Sequence, residues 1–176
     1  NITVYLGACE GCDPQLKQAV RELGTWIGTS GNSLVYGGSK TGLMGELALA
    51  ALEAGAEVTG VEPQFFVDSV LQLEGLTRLI VTPDIAERKA KMIELGDAFV
   101  AFPGGTGTLE EISQIMSMIG LGQLDAPCVF YNLNGYYNPM AEQLDRMLAC
   151  DLTSPERLQG ISFARNLDEL VACLQA

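Results

Sequence analysis

The sequence predicts an α/β fold: a mostly parallel central sheet of about seven strands, with helices on both faces. Short apolar runs rich in Val, Ile and Phe alternate with longer helical patterns, the rhythm of consecutive β-α-β units. These runs are apolar on both faces, as expected of strands covered on two sides. The chain has 176 residues, 48% hydrophobic and 18% charged, which suits one domain spanning 1–176 with a substantial core.

Taken in order, the strand-like runs are 2–6, 33–36, 57–61, 77–81, 97–102, 127–131 and 160–163. Helical patterns lie near 14–28, 43–54, 84–95, 108–120, 138–150 and 167–175. Asp13-Pro14 reads as an N-cap followed by proline at the first helical position. Gly55 reads as the stop of "LMGELALAALEAG", and Asp84 as the N-cap of "DIAERKAKM".

In such folds ligands bind beyond the carboxyl ends of the strands, at a switch in strand order. Three glycine-bearing segments follow strand ends: "LGACEGCDP" (6–14), "YGGSKTGLMG" (36–45) and "PGGTGTLEE" (103–111). Three such loops at one edge favour a polyanionic or nucleotide-sized ligand. None is a G-x-x-x-x-G-K-[ST] loop. "GTGTLE" puts Glu110 where the dinucleotide fingerprint requires Gly or Ala, so a dinucleotide cofactor fits poorly. A single phosphate suits better: backbone amides at 104–108, helped by a nearby Arg or Lys.

Composition excludes several other classes. A net charge of −12 argues against nucleic-acid binding through a basic face, and no apolar stretch is long enough to span a membrane. There is no histidine, which removes imidazole zinc sites, Ser-His-Asp triads and Cys-His dyads. Five scattered cysteines do not make a disulfide framework, and "NITVYLG" opens directly as a strand, so a cytoplasmic protein is expected. Cys9 and Cys12 form a lone C-x-x-C, a weak signal for redox or metal chemistry, and no metal site is expected.

Two carboxylates follow the third glycine loop. Thr108-Leu-Glu-Glu111 has the form of a capping box, which would give Glu111 a structural task at a helix start. The alternative is a carboxylate facing the rest of the ligand, with a cation opposite. Arg88 falls one turn into the helix that Asp84 opens, and it points about 100° away from Lys89. One can then face a ligand while the other grips something beside it.

Together these motifs resemble the "lonely guy" family, the cytokinin riboside 5′-monophosphate phosphoribohydrolases, long mislabelled lysine decarboxylases. "PGGTGTLEE" matches its PGGxGTxxE signature, and "YGGSKTGLMG" is similar to its YGGGxxGLMG. "ERKAKM", "ITVYLGACEG" and "NLNGYYNPM" (132–140) resemble further family segments, in order, from about residue 2 to 150. The resemblance implies a Rossmann-like fold, a homodimer, no cofactor, and hydrolysis of the N-glycosidic bond of an AMP-type nucleotide to free base and ribose 5-phosphate. It implies catalytic roles for Arg88 and Glu111. It implies substrate or phosphate contacts from Gly7, Ala8, Gly37, Gly38 and Lys89, from Pro103, Gly104, Gly105, Thr106, Gly107, Thr108, Leu109 and Glu110, and from Ser117. Lysine decarboxylation fits badly, since the Ser-x-His-Lys of pyridoxal phosphate sites is impossible without histidine.

The mechanism this implies is oxocarbenium-like, with an ionised Glu111 stabilising the sugar and orienting water, and Arg88 holding it deprotonated. The chain departs from the family at Ser39, Ala86, Val70 and "SMIGLG" (117–122), positions expected around the base. A nucleoside 5′-monophosphate is therefore better supported than a cytokinin. The alternative is a carrier of nucleotides or of phosphate-bearing cofactors such as molybdenum cofactor, which related Rossmann-like proteins bind without hydrolysis.

Overall fold

The structure is a computed structural model that describes residues 1–69 and 71–175; the departure at Val70 lies outside the described residues. The core of the sheet is β1 (Ile2–Tyr5), flanked in parallel by β2 (Leu34–Tyr36) and β5 (Ala98–Ala101). Beyond β2 lie β3 (Val58–Pro63) and β4 (Arg78–Thr82). Beyond β5 lie β6 (Cys128–Tyr131) and β7 (Ile161–Ala164). The order is 4-3-2-1-5-6-7, parallel throughout, with Ile2 opposite both Leu34 and Ala98.

Seven helices cover the sheet among the described residues: α1 (Gln15–Thr29), α2 (Gly42–Glu53), α3 (Gln64–Val67), α4 (Ile85–Leu95), α5 (Thr106–Gly120), α6 (Asn138–Ala149) and α7 (Leu167–Gln175). Alternate strand residues feed two cores. Val4, Leu34, Tyr36 and Val58 pack with α1, α2 and α7; Tyr5, Val35, Phe99 and Ala101 pack with Met92 of α4 and Ile112 and Ile115 of α5. Each fully buried Val, Leu, Ile, Phe or Met among them contributes about 1.5–3 kcal/mol by leaving water.

Local chemistry sets the helix ends. Pro14 already has helical angles (φ −64°, ψ −18°), and the Asp13 carboxylate accepts from the Gln15 N–H at 2.9 Å, so the pair caps α1 as the sequence predicts. Asp84 caps α4 by accepting from the Glu87 N–H at 2.8 Å. Gly55 follows α2 at φ 88°, where a Cβ would be strained. Helices α1 and α2 lie unusually close: a Cβ on Gly24 would stand 2.5 Å from the Leu47 carbonyl oxygen, and one on Gly28 2.6 Å from the Ala54 Cβ.

Every expected strand and helix is present. Two differences matter for the site: α3 has no counterpart among the expected elements, and α5 begins at Thr106, two residues before the expected 108.

Candidate active site

The switch in strand order falls between β1 and β5, whose following helices pass to opposite faces of the sheet. That divergence opens a crevice at their carboxyl ends. The loops after β1 and β5 meet there, a Cβ on Gly7 lying only 3.6 Å from the Gly104 Cα. A side chain at Gly104 would overlap the Thr108 hydroxyl, and one at Gly42 the carbonyl of Ala8, so the loops after β1, β2 and β5 interlock through bare backbone.

Gly105 is the N-cap of α5, with extended backbone (φ −90°, ψ −158°). The first bond into the helix runs from the Leu109 N–H to the Gly105 carbonyl at 3.1 Å, which leaves the N–H groups of 105–108 without helical partners. An anion is favoured at such an end. The capping-box expectation is overturned here. The glycine pair turns the chain into the helix two residues early, so Thr108 is a buried residue of the first turn and caps nothing. Glu111 is thereby released for another partner.

That partner is Arg88. Its Nη1 donates to Glu111 Oε1 at 2.6 Å and its Nε to the Val61 carbonyl at 2.9 Å, while a Cβ on Gly37 would lie 2.6 Å from its Nη2. Both side chains of the pair are only 10% exposed. Burial is the leading influence on Glu111 and raises its pKa, with the adjacent Glu110 adding; the Arg88 charge and hydrogen bond, and Lys89, act against it. Arg88 therefore opposes the rise, in the direction the sequence reading expected, while burial remains the larger influence. The Tyr5 phenol beneath is likewise raised, by burial first and then by the Glu111 charge. One residue on, Lys89 pairs with Glu110 at the rim.

Arg88 and Glu111 line a cavity of about 550 Å³, together with Gly7, Ala8, the run 103–108 and Glu110. Gly37, Gly38, Lys89, Leu109 and Ser117 are not on its wall. Gly37 makes room for Arg88, and Gly38 (φ 86°) covers Glu62. Ser117 stands roughly 16 Å along α5 from Thr106, taking 1.5 Å per residue. The sequence reading omitted the apolar wall of Leu43, Met44, Phe66 and Ile85, and also Cys9 and Tyr136. Phe66 sits on α3, too short to leave a periodic signal; Tyr136 lies inside "NLNGYYNPM", a segment whose resemblance to the family carries no chemical role. Cys9 and Cys12 are both free and exposed, and no cluster of three or more ligating residues occurs among the described residues.

Glu62 of β3 is fully buried, and neither carboxylate oxygen has a hydrogen-bond partner. Burial raises its pKa, against the nearby Arg88 charge.

Residues 44–174 match a family model described as possible lysine decarboxylase. A cytokinin riboside 5′-monophosphate phosphoribohydrolase of Rhodococcoides fascians is 37% identical over 177 residues, which span 100% of this chain and 89% of that protein. The enzyme of the same name, LOG1, from Arabidopsis thaliana is 35% identical over 174 residues, spanning 99% of this chain and 82% of its own. The solved Moco carrier protein of Chlamydomonas reinhardtii superposes with a TM-score of 0.73 at 23% identity, over 99% of this chain and 94% of that one, a likeness of fold.

Proposed function

Because the chain belongs to the lonely guy family of cytokinin riboside 5′-monophosphate phosphoribohydrolases, we propose that it hydrolyses the N-glycosidic bond of a nucleoside 5′-monophosphate. AMP or an N6-substituted AMP is the substrate class, and free base and ribose 5-phosphate are the products. One observation carries the reading: a buried Arg88–Glu111 pair at 2.6 Å shares a cavity with the unpaired amides that open α5.

The phosphate binds the loop 103–108, where the N–H groups of 105–108 are free to donate to its oxygens. This attachment is remote from the bond that breaks, so its binding energy serves alignment. As the bond from C1′ to the base nitrogen lengthens, its electron pair leaves with the base and positive charge gathers on the sugar. Ionised Glu111 stabilises that charge and takes a proton from the incoming water, whose oxygen bonds to C1′; the base nitrogen takes up a proton as it departs. A carboxyl raised by burial is a better base than an ordinary one, provided it stays ionised, and the Arg88 charge serves that end. Water is the only co-reactant, so no cofactor is required.

The same reading includes a cytoplasmic homodimer. Exposed apolar surface supports the dimer alone: Phe65 on α3, Leu79 and Val81 on the edge strand β4, and Ile85 on α4. No helix among the described residues is long and apolar enough to cross a membrane. Light scattering should return the mass of two chains.

Incubation with AMP and N6-prenyl-AMP, followed by chromatography for free base, tests the activity directly. Release of base from a monophosphate but not from the matching nucleoside is the expected result. Tight nucleotide binding without product, unaltered by Glu111→Gln, would instead make the protein a carrier.

A further inference from the structure

The segment between β6 and α6 lies against two of the glycine loops. Asn134, left-handed at φ 51°, donates from Nδ2 to Asp13 Oδ2 at 2.8 Å and Gln15 Oε1 at 2.9 Å, at the start of α1. Two residues on, the Tyr136 hydroxyl donates to the Gly104 carbonyl at 2.5 Å, and the Tyr137 hydroxyl to the Phe102 carbonyl at 2.9 Å. The segment is itself held, since Asn132 accepts from the Tyr137 N–H at 2.6 Å and donates to Asn138 at 2.8 Å.

The two tyrosines do different work. Tyr137 is buried, and the carbonyl it binds precedes Pro103, which has no N–H to orient. Tyr136 is half exposed, lines the cavity, and holds the peptide between Gly104 and Gly105. That peptide, flanked by two glycines, is the least constrained in the loop. A trans peptide is planar, with its C=O and N–H pointing in opposite directions. Fixing the Gly104 carbonyl therefore fixes the Gly105 N–H, the first unpaired donor at the mouth of α5.

We propose that Tyr136 is a positioning residue for the phosphate: its hydroxyl sets the Gly104–Gly105 peptide so that the Gly105 N–H faces the anion. The inference rests on the monophosphate reading above, and it concerns binding of the phosphate end alone.

The test compares Tyr136→Phe with Tyr137→Phe by calorimetry, using inorganic phosphate and ribose 5-phosphate as probes, with adenine as the control. Tyr136→Phe keeps the ring on the cavity wall and removes only the tie. Affinity for both phosphate probes should fall about tenfold, the worth of one well-made hydrogen bond, while adenine binding and Tm hold. Tyr137→Phe should lower Tm and leave the phosphate affinities within about twofold once corrected for folded fraction. In turnover, Tyr136→Phe should raise KM for the monophosphate with kcat nearly unchanged. Unchanged phosphate affinity in Tyr136→Phe, or an equal loss for adenine, overturns the proposal. If wild-type protein binds phosphate, loses that affinity in Tyr136→Phe and yet cleaves no nucleotide, the positioning role stands and the hydrolase reading falls.

Discussion

Two ion pairs join α4 to α5, one residue apart on both helices, and they occupy opposite environments. Arg88–Glu111 is sealed between β3 and the glycine loops, at 10% exposure on each side. Lys89–Glu110 sits at the rim, with the lysine side chain 18% exposed and the glutamate 56%. The residue types and the spacing are nearly the same; a helical step of about 100° separates the two. Rim charges stay hydrated and gain little from each other. Sealed charges lose their water, so each becomes sensitive to its partner and to any charge that forms nearby. In the proposed reaction the inner pair is the one that acts on the sugar, and the outer pair is left as an ordinary rim contact.

Removing the inner carboxylate should break this contrast most visibly. Glu111→Gln is expected to lower kcat by about 10³-fold or more while nucleotide affinity persists, as steady-state kinetics and calorimetry would show together. Arg88→Gln should follow, with activity lower by about a hundredfold. Without the guanidinium the Glu111 pKa climbs further, so the acid limb of the kcat/KM profile, already above the ordinary 4.5, should move to still higher pH. A limb that stays in place would mean that the pair does not govern ionisation.

Glu62 sharpens the comparison, being sealed but unpartnered. Its raised pKa means that the folded chain keeps a proton which the unfolded chain releases above 4.5, so stability falls as the pH climbs from there to the folded value. Glu62→Met, of similar length, should raise stability at neutral pH by about 1–3 kcal/mol and remove that share of the pH dependence in urea melts. The smallest effect belongs to the rim. A double-mutant cycle of Lys89→Ala and Glu110→Ala should give a coupling below about 1 kcal/mol, vanishing in salt, with kcat nearly intact.

Much of this was legible beforehand. Strands covered on both sides must be continuously apolar, and a parallel sheet must gather its loops at one edge, so the positions of Gly7, Gly104 and Arg88 followed from pattern. What escaped has particular causes. Thr108 and Glu111 satisfy the form of a capping box, yet the helix starts earlier because Gly105 accepts the N-cap conformation, a backbone choice that side-chain spacing does not encode. Phe66 reaches the cavity from α3, whose four residues carry no period, and Ile85, on the expected helix α4, reads in sequence as an ordinary apolar core position. The Glu111 pKa depends on how far burial outweighs Arg88, which only coordinates reveal.

The bare ridge at Gly24 and Gly28 has a consequence of its own. With α1 seated against the backbone of α2, the two helices form a single stiff plank, and two glycine loops hang from its upper end, one entering each helix. Movement of one loop is therefore expected to carry the other with it. Amides along both helices should exchange with deuterium as one cooperative block, and an alanine at Gly24 should loosen that block and the distant loops with it.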